Sequence, residues 1–577
     1  SMTSTLSMRG MTSGQVLILL DGVPVNSKQN GGFDLSTINV ANIEKIEVIQ
    51  GGSDTKYNYS GAMGGIINIV TIKNKFQKKL SFWSSVSNLF YYPDFYYAGA
   101  GRTDKKFFEA RDFFDTQKIC GGFEYSNEKI SFNMYNEGNI ANNSYIYRDS
   151  NNIARKITGN EAWDLNGKLS LNVNLPYYMK LIFNVNNYYA DKNVYGSVKS
   201  LSQGKQKDNV TDATILFDAD MVGTDRVDTE NSISYKFNRM EWRDISSESA
   251  HNLHSIFFVS RWNVAATQWL NIRFGGDFDY SYLDSNNVGH INYFNGGGYA
   301  TFEFNIKNKV LIIPSIKLNY FKEYPVPIPK IGFVFNINEF ITIKNNFFRT
   351  FKNPCLNDLY WAEDSFAKGN PDLKPETAVG GDFILEVNKP GVLNASGSFY
   401  VNYLFDGILW ANVANKWSPT NIGEALYIGT DHKITTDFSK YIEIFGLYSF
   451  VWTLITRSEN VSYKDNARVP NIPAHTFSLG ITANWQSGNI TVTGHFESER
   501  FMTATNIESI PGFFKLDLSF NQTFAKYFTI YANLTNAFNN IYEVQYGYPM
   551  PTGALLIGLK INYQTNFLKG DKNEKDR

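Results

Sequence analysis

Only two cysteines, Cys120 and Cys355, occur in 577 residues. That excludes a disulfide scaffold, and the pair reads equally as one bridge or as two free thiols. Net charge is nearly absent: 54 Lys and Arg against 55 Asp and Glu leave −1. Nucleic acid, which attracts a basic surface, is therefore an unsuitable partner. No run approaches the roughly 18 apolar residues of a spanning helix. If the chain crosses a membrane, it must do so as a closed barrel, which also satisfies every backbone group in lipid. No nucleophile–base set and no metal cluster stands out, so the chain reads as a non-enzyme. A secretory leader is missing too. The chain opens Ser1-Met2-Thr3 in mid-domain and reads as a processed fragment.

What is abundant is aromatic. Phe, Tyr and Trp make up 16% of the chain. Such a content suits a wall with apolar groups facing lipid and amphipathic rings at two interfaces. It also suits a secreted β-sandwich or propeller, and composition alone does not separate them.

Strand patterning does. Leu169, Leu171, Val173 and Leu175 share one face of a stretch whose other face is Ser170, Asn172 and Asn174. A short turn at Pro176-Tyr177-Tyr178 follows, and Met179, Leu181, Phe183 and Val185 resume the apolar face. The same alternation runs through 393–403, 477–485, 516–521 and 555–563. A soluble sandwich would show much Lys and Glu on its wet face. Here the polar face is mostly Asn, Ser and Thr, as in a wet or plugged lumen. Residues 74–563, shared among about 22 strands, leave roughly 22 residues per strand and connection. Long loops are expected at 93–118, 191–210, 240–252, 284–298, 352–373, 405–422, 456–472, 498–511 and 540–552. Residues 564–577 read as a polar tail, and its end from Gly570 to Arg577 is almost all charged or polar, so disorder is expected there.

Residues 9–73 are different in kind. They carry Arg9-Gly10, the strand Leu17–Gly22, Asn42–Gln50 and the glycine-punctuated Gly61–Thr71. In this order and spacing they resemble the plug of TonB-dependent outer-membrane receptors. Two further segments carry the same resemblance: Phe348-Arg349 through Gly369-Asn370-Pro371-Asp372-Leu373-Lys374-Pro375-Glu376, and the terminal NLTNAFNNIYEVQYGYPMPTGALLIGLKINY. The ending is similar to the smaller, vitamin B12 receptor-like members. The resemblance implies an all-β membrane barrel of about 22 antiparallel strands with a small α/β plug in its lumen. Residues 1–73 would be the C-terminal part of the plug, and 74–563 the barrel. It further implies an outer-membrane location in a diderm bacterium, surrounded by lipid and lipopolysaccharide. The expected activity is import of a large scarce nutrient, powered by a TonB-type protein pulling on a plug N-terminus that this chain lacks. Cobalamin is favoured and a ferric siderophore comes next. The competing readings are a passive porin or adhesin with a vestigial plug, and a soluble carbohydrate-binding β-protein.

The resemblance also implies two charge pairs between plug and wall. By position Arg9 meets Glu376. The second pair falls on Gln50 and Asp431, both altered from the family's arginine and glutamate, so a weaker neutral–charged contact is expected there. Ligand contacts are expected from the outward plug loops at Thr12, Ser13, Ser27, Lys28, Gln29 and Asn30, with one cation among them. The outer-loop pairs Tyr293 and Phe294, and Tyr360 and Trp361, are expected to offer aromatic contacts, with Tyr293, Tyr360 and Trp361 as ligand candidates and interface anchoring the plainer role for at least one pair. Haem is disfavoured because no histidine lies in 353–369. No cofactor is expected. The acidic stretch Asp218, Asp220, Asp225, Asp228 and Glu230 offers weak Ca²⁺ ligands at Asp218, Asp220 and Asp225, with a solvated turn as the plainer reading.

Overall fold

The structure, a computed structural model, describes residues 6–51, 57, 59–72, 76, 78–91, 113–148, 154–198, 203–220, 226–322, 324–413, 415–458 and 466–566. Twenty-two strands close into one antiparallel barrel. The last strand, Ala554–Asn566, pairs with the first, Lys79–Tyr91, and so removes both sheet edges. Each strand otherwise pairs with its chain neighbours, the up-and-down order that hairpins produce.

Period-two patterning builds this wall inside out. On strand Ala162–Leu175, Leu169 is 40% exposed outward, while Lys168, Ser170 and Asn172 are buried inward. The turn after it is closed by Leu175 opposite Met179, with Tyr177 and Tyr178 both at positive φ. Lys307-Asn308 and Ala525-Lys526 repeat that double positive-φ turn on the same rim. This rim carries exposed Tyr177, Tyr178, Trp269, Tyr441, Trp485, Tyr527 and Tyr563. Such rings sit at a membrane interface, with an apolar body and a wet end.

The opposite rim differs from the sequence expectation. Strands there run far past the 9–11 residues that span a bilayer, reaching 24 in Lys416–Ser439. Much of the expected loops 191–210, 240–252, 284–298 and 405–422 is therefore strand. Alternation continues in water because neighbouring strands keep satisfying each other's backbone. A connection at 142–161, containing Ile146–Arg148 and Ala154–Lys156, was not anticipated.

The plug is a four-stranded mixed sheet inside the lumen. Its strands are β1 (Val16–Leu20), β2 (Val23–Pro24), β3 (Ile43–Gln50) and β4 (Gly65–Thr71), in the order β2-β1-β4-β3. β1 and β4 pair in parallel and are buried almost throughout, which explains their unbroken apolar runs. Gly64 is small by necessity: a Cβ there would press on Met11 and on the Met8 carbonyl. The wall grips the sheet through backbone groups. Lys236 Nζ donates to Val25 O at 2.7 Å, Arg261 Nη2 to Gly22 O at 3.1 Å, and Gly61 N to Phe351 O at 3.0 Å. Residues 564–566, expected as tail, belong to the last strand; the expected plug–barrel junction at 73/74 and the rest of the tail lie outside the described residues.

Candidate functional site: the plug apex and its locks

Arg9 lies at positive φ, fully buried, with its guanidinium over the Tyr400 ring at 4.3 Å. Nη1 meets Asp382 Oδ2 at 3.3 Å and Nε meets Asp431 Oδ2 at 3.4 Å. The expected partner, Glu376, is elsewhere. It binds Lys352 Nζ at 2.6 Å and accepts from Gln15 Nε2 at 3.2 Å. Glu376 and Asp382 face inward on one strand, six residues apart, which is roughly 20 Å of rise. Depth, not side, decides which carboxylate reaches Arg9, and motif position did not supply depth. Gln50 Nε2 approaches the same Asp431 Oδ2 at 3.5 Å, and Ser449 Oγ donates to Oδ1 at 2.9 Å. The two expected locks are thus one shared cluster. Beside it Gly51, at φ 57°, leaves room for Asp382; a Cβ there would strike the carboxylate and the Phe348 ring.

The apex gathers the predicted loops. Thr12 N and Oγ1 donate to Gln15 Oε1, which fixes the short turn at Ser13 beside Gly31 and Gly32. Thr12 and Asn30 are exposed, while Ser13 and Ser27 are half-buried. Two of these residues are less open than expected. Gln29 is buried rather than presented to ligand. The helix α1 (Leu356–Tyr360) lies on this loop, with Leu356 N donating to Lys28 O and Asn357 N to Gln29 O. Lys28 is not an open cation, because Asp279 Oδ2 holds its Nζ at 2.6 Å.

The expected aromatic contacts divide. Tyr293 is in strand Gly289–Ile306, not in a loop. It is buried inward and its hydroxyl accepts from Asn353 Nδ2 at 3.1 Å. Its neighbour Phe294 is exposed outward, since adjacent strand residues take opposite faces. Tyr360 and Trp361, at the end of α1, half-cover an apolar cluster of Leu356, Leu359, Phe351 and Leu373. Cys355 caps α1, and its thiol lies 3.0 Å from Asp358 Oδ2. Burial first, then the Asp358 charge, pushes that thiol above its ordinary range. Cys120 sits in the wall, and both cysteines are free. The loop above α1 is stitched by Glu363, which binds Lys416 at 2.7 Å and Lys368 at 3.1 Å and whose carboxyl is held below its usual range by those lysines.

Asp218 and Asp220 lie on the short-turn rim, near Lys180 at 3.8 and 3.9 Å, while Asp225 is outside the described residues. A lysine there competes with any cation. Among the described residues no group of three or more His, Cys, Asp or Glu could hold a metal.

Family models match both parts of the chain: "TonB dependent receptor-like, beta-barrel" over residues 80–537 and "TonB-dependent Receptor Plug Domain" over 1–66. The chain belongs to the TonB-dependent receptors. As such it is an outer-membrane protein, with its long-loop rim outside and its short turns in the periplasm. This receptor is 27% identical to the vitamin B12 transporter BtuB of Vibrio vulnificus over 448 residues, covering 74% of this chain but 65% of that one. It is 24% identical to the iron-regulated outer membrane virulence protein of Vibrio cholerae, covering 97% and 87%. Among solved structures it shares its fold with the siderophore receptor PirA of Acinetobacter baumannii, at TM-score 0.76, 14% identity, and 96% and 91% coverage. The copper transporter OprC matches similarly, at TM-score 0.77, 12% identity, and 96% and 91% coverage.

Proposed function

We propose that this receptor imports a large, scarce nutrient, with a corrinoid such as cobalamin favoured over a ferric siderophore. The observation that carries the choice is charge. The apex cation Lys28 is neutralised by Asp279, and Lys352 beside it by Glu376. A multiply anionic ferric chelate asks for uncompensated positive charge at the apex, whereas a neutral ligand rich in amides and hydroxyls does not. The name of the V. vulnificus relative supports the same choice, and that of the V. cholerae relative supports the runner-up. Transport would be driven by a TonB-type protein acting on the plug, in a barrel seated among outer-membrane lipid and lipopolysaccharide. Thr12, Ser13, Ser27 and Asn30 would meet the ligand, with Tyr360 and Trp361 beside them.

Isothermal titration of the detergent-folded protein with cyanocobalamin, a ferric catecholate and haem tests the ligand. Tight binding of cobalamin is expected, and selective binding of the ferric chelate would reverse the order. Uptake with and without a proton-motive force tests the mode. Energy-independent uptake would favour a passive porin.

A further inference from the structure

The terminal segment around Gly547-Tyr548-Pro549-Met550-Pro551 has no part in the plug locks or the apex. It closes over the ends of two barrel strands at the extracellular rim. Tyr145 Oη donates to Pro549 O at 2.9 Å, and Val198 N donates to Gly547 O at 2.9 Å. Between them lies a cleft of about 180 Å³. A cavity of about 150 Å³ holds a benzene-sized ring, so one six-membered ring fits.

The lining states what kind of ring. Tyr91, Tyr145, Tyr195 and Tyr548 contribute to the wall, with Tyr91 and Tyr145 at 5.6 Å between ring centroids. Aromatic faces are electron-rich and attract polarised C–H groups laid on them. Among the described residues no Asp, Glu, Lys or Arg lines the cleft, which disfavours an ion. One acceptor beside the cleft is left over, covered while the cleft is empty. Asn160 is buried and lines the cleft, and its Oδ1 has no hydrogen-bond partner. Its backbone carbonyl is already taken by Asn143 Nδ2 at 3.0 Å. An orphan buried acceptor calls for a donor. A hydrocarbon ring has none, and a phosphate brings only more acceptors at full charge. A ring with one apolar face and hydroxyl donors at its edge satisfies all three features.

We propose that this rim cleft binds a single pyranose ring of a saccharide. The site is separate from the plug apex, and its occupancy does not depend on which nutrient is carried.

Saturation-transfer NMR on the detergent-folded full chain, with methyl glycosides of glucose, galactose, mannose and N-acetylglucosamine, tests it. A second arm uses core oligosaccharides released from lipopolysaccharide. Saturable binding in either arm is expected. Preference for the core oligosaccharides would identify the cell's own surface glycan as the source, and preference for the free glycosides an external one. Asn160→Leu should weaken binding about fivefold to tenfold, the share of one hydrogen bond. Tyr195→Ala should weaken it by a similar factor. Heat-modifiable gel mobility, which reports barrel closure, should be unchanged in both. The proposal is overturned by absence of saturation with every saccharide, by affinity unchanged in both variants, or by phenol displacing all signal while no glycoside competes.

Discussion

The Arg9 guanidinium is held between two wall carboxylates, Asp382 at 3.3 Å and Asp431 at 3.4 Å, and these belong to different strands. One plug cation thus ties two separate parts of the barrel to the gate. The Asp382 side chain is fully buried and that of Asp431 is 23% exposed, so the two halves of the lock are unequal. Asp382→Ala should destabilise the folded plug by about 3 kcal/mol, because it leaves a buried charge half-paired. Asp431→Ala should cost about 1 kcal/mol, reduced by solvent screening. Denaturant unfolding of both variants, with a double-mutant cycle through Arg9, checks the asymmetry. Equal losses would contradict it.

Gly51 should behave as part of the same lock. Its φ of 57° and the crowding by Asp382 and Phe348 leave no space for a methyl group. Gly51→Ala should cost at least about 1 kcal/mol for the backbone alone. It should also be non-additive with Asp382→Ala, since both disturb one contact. Additive losses would show that the glycine serves the turn and not the carboxylate.

Lys28→Met should loosen the plug, because it strands the buried Asp279. A loss of about 2 kcal/mol is expected, less than for a fully buried pair, since Lys28 is 27% exposed. Adding Asp279→Asn should recover most of it. Affinity for a neutral ligand should stay within about twofold, below the worth of one hydrogen bond. A tenfold loss in the double variant would place Lys28 on an anionic ligand instead.

The outer wall makes a prediction of its own. Ile481 and Phe399 point to lipid. An arginine at either position should cost about 2–4 kcal/mol near the bilayer midplane. Thr482→Arg, on the lumen side next to Ile481, should cost less than about 1 kcal/mol. Urea titrations of folding into lipid vesicles would show the contrast.

Cys355 should resist alkylation at pH 8, while the unfolded chain reacts. Its thiol is raised by burial, so the native thiolate fraction is small. The sign for stability follows. The unfolded thiol ionises near about pH 8.5 and the folded one only higher, so stability falls as pH rises above about 8.5. Cys355→Ser should flatten that fall. Rapid labelling of native protein by iodoacetamide would contradict the raised, half-buried thiol.

Much of the fold was legible. Leu169 to Leu175 and Met179 to Val185 could be assigned faces, a turn and a lumen from alternation alone, because a side-chain period of two is fixed by the pleat. The loop limits were not legible. Polar residues in 191–210 or 405–422 resemble loop, yet the hairpins continue there, because inter-strand hydrogen bonds do not need a lipid face. In the site, Gln50 and Asp431 were singled out together and stand 3.5 Å apart. Asp382, Lys352 and Asp279 were missed. Their only signal was inward parity on their strands, which they share with many residues that touch nothing charged.

What could be read from the chain alone was the run of alternating barrel strands, the buried plug strands and which face of each barrel strand meets lipid. These follow from local periodicity and from glycine positions that tolerate few substitutes. Which charges meet was settled by the folded barrel alone. Arg9 pairs with Asp382 rather than Glu376, and Lys28 is consumed by Asp279, because pairing depends on strand tilt, stagger and plug depth. Those are sums over the whole closed barrel, and no single segment of the chain encodes them.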